Sequence, residues 1–231
     1  MSEQFARTEL LFGKEKMERL RKAKVAVFGI GGVGGHAAEA LARSGVGALS
    51  LVDRDVVDET NLNRQIVALH STIGRDKVGV MRERILDINP ICQVQVHKCF
   101  YLPETKDDFD FSKYDYIVDA IDTVTAKIQL VVEAKRCGTP IICCMGAGNK
   151  LDPTAFEVAD LYETSVCPLA KVMRRELRRR EIKKLKVVYS KEVPICLVTD
   201  ERNRPLPGSN AFVPATAGLI LASEVIRDLT Q

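Results

Sequence analysis

The stretch "VAVFGIGGVGGHAAEALARSGVGALSLVDRD", residues 25–55, decides the fold. It opens as an apolar strand, breaks at a cluster of glycines, continues as an Ala/Leu-rich helix and closes on a second apolar strand. Gly29, Gly31, Gly32 and Gly34 permit a tight turn and let the backbone approach a phosphate. The helix behind them presents free N–H groups and the positive end of its dipole, which favour an anion. Asp53 ends the second strand, near the roughly 20-residue spacing expected of a carboxylate that bonds ribose hydroxyls. The unit predicts a nucleotide site. Taken alone it suits a dinucleotide held for hydride transfer as well as ATP held for cleavage.

Outward from this unit the same alternation continues. A helix is expected over 75–88, a strand over 94–99, a strand over 114–121, a helix over 124–136 and a buried strand over 140–147. A polar helix is expected over 13–22. Strands alternating with helices indicate parallel crossover units, and near-continuous apolar strands suit a sheet covered on both faces. The last third changes style, with strands at 156–161 and 186–190 around a basic helix at 168–182, then a closing helix at 215–229. The expected fold is therefore α/β, a Rossmann-like, mostly parallel sheet with helices on both faces and a modified C-terminal half. No Gly/Ser/Pro linker or repeat divides it. One domain is expected over 1–231, with the nucleotide core at about 20–150 and a substrate and dimer part at about 151–231.

Composition excludes several classes. No apolar run approaches the roughly 20 residues that span a bilayer. The N-terminus is too polar for a signal peptide, so a cytoplasmic protein with no membrane association is the expectation. Seven cysteines contain no CxxC pair, which argues against a structural zinc site and for free thiols. Net charge is +3, but ten Lys or Arg against two Glu crowd into residues 171–191.

Cleaving ATP requires cations where pyrophosphate departs. "DRDVVDETNLNRQ" and "GRDK" supply them directly after the second strand. Asn61 and Arg64 share a face if the segment is locally helical, Lys77 follows, and Asp122 lies at the end of a later strand, where parallel-sheet ligands bind and a carboxylate can hold magnesium. Each has a plainer reading. Arg64 and Lys77 could be solvated surface residues, and Asp122 could cap the next helix.

Together these residues resemble the ubiquitin-activating-type adenylating enzymes, which include the molybdopterin and thiamine sulfur-carrier activators. The resemblance implies that Gly29, Gly31, Gly32 and Gly34 line the phosphate turn, that Asp53 holds the ribose, and that Asn61, Arg64 and Lys77 contact the phosphates. Asp55 and Gln65 belong to the same D-x-D and R-Q patterns and are assigned to ATP, and Asp122 to magnesium. It further implies a homodimer in which Arg7, in "FART", enters the partner's site, so that Arg7, Arg64, Lys77 and Asp122 form the catalytic set. Sulfur-carrier activators usually carry two CxxC pairs, and this chain has none. Ubiquitin-type enzymes need a catalytic-cysteine domain for which there is no room.

"FARTELLFG", "TNLNRQIVALHSTIGRDK", "VDAIDTV", "GAGNKLDPT" and "DLYETSVCPLAKVMRRELR" are similar to the tRNA threonylcarbamoyladenosine dehydratase branch. That resemblance implies ATP-dependent dehydration of the modified adenosine through an acyl adenylate. Activation of a small ubiquitin-like sulfur-carrier protein is the alternative, and a sulfur-transfer protein stays open as a partner. Proximity of the tethered carbamoyl group removes the need for a protein nucleophile. Cys167 is the competing nucleophile, at a helix start where a thiol can be activated; its plainer reading is a small buried residue before Pro168. Cys196 is a weaker candidate. Lys171, Arg174, Arg175 and Arg178 fall on one helical face, extended by Arg179, and are assigned to tRNA phosphates.

Overall fold

The computed structural model describes residues 3–195, 198, 199 and 206–231; Cys196 lies outside them. The elements run α1 (Ala6–Lys22), β1 (Lys24–Phe28), α2 (Gly34–Arg43), β2 (Ala48–Val52), α3 (Lys77–Ile88), β3 (Gln93–His97), β4 (Tyr116–Asp119) and α4 (Val124–Cys137). They continue as β5 (Ile141–Cys144), β6 (Phe156–Asp160), α5 (Pro168–Arg178), β7 (Lys186–Ser190) and α6 (Val213–Leu229).

One seven-stranded sheet has the order β3-β2-β1-β4-β5-β7-β6. Every pairing is parallel except β6 with β7, which is antiparallel. The chain thus steps outward from β1 in one direction and returns to build β4 on its other side. In such sheets the crevice between those first two crossovers, beyond the carboxyl ends of the strands, is where ligands bind.

Alternation along β1 divides the core. Val25 and Val27 face a layer with Leu41 of α2, Met81 of α3 and Leu221 of α6. Ala26 and Phe28 face the opposite layer, with Leu130 of α4, Met173 of α5 and the aromatics Tyr101, Phe109 and Phe111. Both faces are covered, as the apolar strands require. Gly218 of α6 lies so close to α2 that a Cβ there would sit 2.2 Å from the Val33 carbonyl oxygen. Helix α6 therefore backs directly onto the start of α2.

The structure moves several boundaries. The first helix begins at Ala6, not 13; Gly13 is a kink inside it (φ 79°, ψ 162°), beyond which Leu10 and Leu11 are 86% and 84% exposed. The strand expected over 114–121 ends at Asp119, because 120–123 leave the sheet to form the crevice wall. The basic helix ends at Arg178, not 182; Glu181 adopts φ 58°, which a helix cannot continue.

Candidate active site

A cavity of about 620 Å³ opens at the crevice between β1 and β4. Gly29, Gly31 and Gly32 form one wall. Gly29 has φ 89°, and a Cβ there would lie 2.6 Å from the Ala120 carbonyl oxygen. At Gly34 a Cβ would lie 1.8 Å from the Gly29 carbonyl oxygen. Both positions exclude any side chain, whereas a Cβ on Gly31 would meet no atom nearer than 3.9 Å. Gly34 sits beneath the turn and does not line the cavity, so its part is to let the turn close.

Asp53 and Asp55 line the next wall. Asp53 is braced by the backbone: Oδ2 accepts from the Ile30 N–H at 2.6 Å and Oδ1 from the Asp55 N–H at 2.8 Å. Carboxylate oxygens have lone pairs to spare for a ligand hydroxyl. Asp55 pairs with Lys77 Nζ at 2.9 Å; the lysine side chain is 6% exposed and the aspartate 52%. Lys77 is the first residue of α3, and its N–H bonds the Asp55 carbonyl oxygen at 3.0 Å.

The segment after β2 makes one short 3-10 turn followed by hydrogen-bonded turns, which sets Asn61 and Arg64 one turn apart. Asp58 caps a short turn at Glu59–Asn61, and the Arg64 and Gln65 N–H groups bond the Asn61 carbonyl oxygen at 3.1 and 2.9 Å. Asn61 is buried, with Oδ1 accepting from the Asp58 N–H at 3.1 Å. That oxygen is engaged, so the group Asn61 can offer a phosphate is its NH₂. Arg64 donates to the Thr60 carbonyl oxygen and to the Asn63 side-chain oxygen, both neutral acceptors. Gln65 is buried beside Gly31, and its Oε1 has no hydrogen-bond partner among the described residues.

Asp122 lies on the far lip, exposed, where its carboxylate accepts from the Thr123 hydroxyl at 3.3 Å. The N-cap of α4 is Thr123 with no side-chain cap bond, so Asp122 does not serve as a cap. Among the described residues no group of three or more His, Cys, Asp or Glu side chains could hold a metal. One exposed carboxylate lining a cavity is nevertheless the kind of donor that magnesium uses when it binds mainly through phosphate oxygens and water.

Glycines 29, 31 and 32 with Asp53, Asp55, Asn61, Arg64, Gln65, Lys77 and Asp122 thus converge on one cavity. Arg7 does not; it is exposed on α1, outside its own chain's cavity. Cys167 is 2% exposed, directly before Pro168 at the start of α5, and does not line the cavity. Burial pushes the thiols of Cys143 and Cys144 up, the latter to about 12, so both are inert near neutral pH.

Sequence reasoning missed three features. A second wall is built by 144–148 and 207–209, with Pro214 against Gly32. The Arg54 guanidinium lies 3.5 Å over the Phe100 ring at the cavity edge. Under the floor, Asp119 and Lys127 form a wholly buried ion pair at 2.9 Å. Burial alone would lower the Lys127 pKa, but the Asp119 carboxylate outweighs it and holds the ammonium above its usual range. A signal existed: Lys127 falls in the apolar stripe of Ala126, Leu130, Val131 and Ala134.

On α5, Lys171, Arg175, Arg178 and Arg179 are exposed. Arg174 is not part of that open face. It is half-buried and donates to the Thr164 carbonyl oxygen at 3.0 Å and to the Thr164 hydroxyl. Arg175, Arg179 and Arg180 gather around Glu176, and the Arg178 guanidinium lies 5.4 Å over the Tyr162 ring.

The glycine turn, the braced aspartate and the ring of cations at a parallel-sheet crevice define a nucleotide-handling α/β protein. The chain belongs to the ThiF family, whose sequence profile matches residues 3–231. It is 49% identical, over 244 aligned residues covering 100% of this chain and 96% of the relative, to the tRNA threonylcarbamoyladenosine dehydratase of Bacillus subtilis (strain 168). The structure is similar to that of the E. coli tRNA N6-threonylcarbamoyladenosine dehydratase TcdA in complex with AMP. The TM-score there is 0.90 at 37% identity, over 98% of this chain and 93% of that one. The same enzyme in complex with ATP gives a TM-score of 0.89 at 36% identity, with the same coverage.

Proposed function

We propose that this protein dehydrates threonylcarbamoyladenosine in tRNA at the expense of ATP. The observation that carries the proposal is the convergence of the glycine turn, Arg64, Lys77 and Asp122 on one cavity in a chain similar along its whole length to a dehydratase. The substrate carboxylate attacks the α-phosphorus of ATP and pyrophosphate leaves. The carbamoyl group of the same side chain then attacks the acyl-adenylate carbonyl, AMP departs, and a ring closes with net loss of water. Tethering makes the second step intramolecular, worth up to about 7–11 kcal/mol of its barrier.

Each residue has a place in that sequence. Asp53 bonds the ribose and Asp55 holds Lys77 ready. The glycine turn, Asn61, Arg64, Gln65 and Lys77 receive the phosphates as charge moves onto pyrophosphate. Asp122 is the residue to hold magnesium, which when bound neutralises phosphate charge. Arg7 is assigned to the neighbouring subunit's site in a homodimer; the exposed leucines beside it support a buried role for that arm. The cytoplasm, where tRNA is modified, is the location this reading assigns. Among the described residues no helix is long and apolar enough to cross a membrane.

Lys171, Arg175, Arg178 and Arg179 form the tRNA surface, gripping phosphates without reading bases. Lys171→Ala/Arg175→Ala/Arg179→Ala is expected to weaken tRNA binding and to flatten its salt dependence by about one unit of slope per lost phosphate contact. Filter binding across a salt series measures both, and an unchanged slope removes the assignment.

The deciding assay incubates the protein with ATP, magnesium and tRNA bearing the modified adenosine, then digests the tRNA for mass spectrometry. The expected product is lighter by one water and appears with AMP and pyrophosphate. Pyrophosphate exchange stimulated by a small carrier protein, with tRNA unchanged, would select a sulfur-carrier activator instead.

A further inference from the structure

The buried pair under the cavity floor has no part in contacting a nucleotide, yet its bonds converge on the turn that carries Asp122. Lys127 Nζ lies 2.9 Å from Asp119 and also donates to the Ile121 carbonyl oxygen at 3.0 Å. Asp119 Oδ1 accepts from the Ile121 N–H at 3.1 Å. Ile121 is therefore held at both its N–H and its C=O by the two members of one ion pair. At the other end of the turn the Lys127 N–H bonds the Thr123 carbonyl oxygen at 3.0 Å. Asp122 lies between these anchor points. The same turn places the Ala120 carbonyl oxygen under Gly29, where no side chain fits.

Removing two charges from water is costly, and an apolar pair of equal volume would pack as well. An apolar pair could not bond both sides of a loop peptide. We propose that Asp119 and Lys127 are positioning residues: their buried pair locks the turn 120–123, and so aims the Asp122 carboxylate at the phosphate end of the cavity. This inference rests on the adenylation reading. A carboxylate on an untied exposed turn would sample many orientations, and a displacement of about 1 Å at a reacting centre can cost about 100-fold in rate.

The test compares wild type, Asp119→Asn/Lys127→Met and Asp122→Asn as full chains. The double substitution removes both charges together while keeping volume. It is expected to stay folded by circular dichroism and to bind AMP in EDTA as wild type does. Amide exchange at Ile121 should quicken at least about tenfold, and the magnesium midpoint for ATP-dependent turnover should rise about tenfold, with kcat lowered. Asp122→Asn should reproduce the magnesium defect without the exchange change, which separates aiming the carboxylate from supplying it. Wild-type exchange at Ile121 in the double variant overturns the proposal, as does a wild-type magnesium midpoint beside a defective Asp122→Asn. Should the double variant not fold, wild-type exchange decides: an Ile121 amide as open as a solvent-exposed loop N–H overturns it. A wild-type protein with no magnesium-dependent turnover on tRNA sinks the adenylation reading, and the exchange measurement still judges the lock.

Discussion

Asp55–Lys77 and Asp119–Lys127 are both ion pairs at 2.9 Å, and their aspartates stand at or just past the ends of β4 and β2, the strands that flank β1. They differ in water. Asp55 is half exposed, so its attraction for Lys77 is screened and an incoming phosphate can compete for the ammonium. Asp119 and Lys127 are wholly buried, so a solute from outside cannot come between them without opening the core. Equal geometry thus gives a cation on loan in one place and a fixed tie in the other.

The largest effect that could break this contrast is on stability. Lys127→Met alone leaves a buried carboxylate without its partner and is expected to cost about 3–5 kcal/mol in chemical unfolding. The double change with Asp119→Asn should recover most of that loss. Lys77→Met, beside a solvated aspartate, should cost no more than about 1 kcal/mol. Equal losses from the two lysines would erase the distinction.

Activity reverses the order. Lys77→Met should lower pyrophosphate exchange about 100-fold, near 3 kcal/mol of transition-state stabilisation, while the protein stays folded. Retained exchange would return Lys77 to a structural role.

The smallest effect is pH dependence. The folded-state value of Lys127 is raised, so its contribution is whole below the ordinary lysine pKa and is lost as pH climbs through the raised value. The gap in unfolding free energy between wild type and Asp119→Asn/Lys127→Met should hold constant to about pH 10, then move against the wild type. A gap that shifts between pH 6 and 8 would mean the lysine is buried neutral.

What was legible in the sequence follows from the range of each interaction. The glycine turn, Asp53 and the one-turn Asn61–Arg64 spacing are local, and each stands where the chain's own periodicity places it. Lys127 was hidden because its partner is eight positions back across a strand end; only its place in an apolar stripe betrays it. Arg174 reads as one more basic residue until the fold brings Thr164 beneath it. The expectation for the first helix, 13–22, falls short because the stretch from Ala6 joins it through a kink at Gly13, which a regular helical period does not carry across. The wall built by 207–209 has no local signature at all; Gly208 is held by Asn149, whose N–H bonds the Gly208 carbonyl oxygen at 2.8 Å across the fold.

The close seat of α6 on α2 has a consequence for how the molecule is made. Gly218 rests against the Val33 carbonyl and Pro214 against Gly32, so the glycine turn that walls the cavity is backed by a helix translated long after it. A nascent chain therefore carries its glycine turn without this backing until α6 has emerged. The finished cavity therefore waits on α6, which follows every strand of the sheet in chain order.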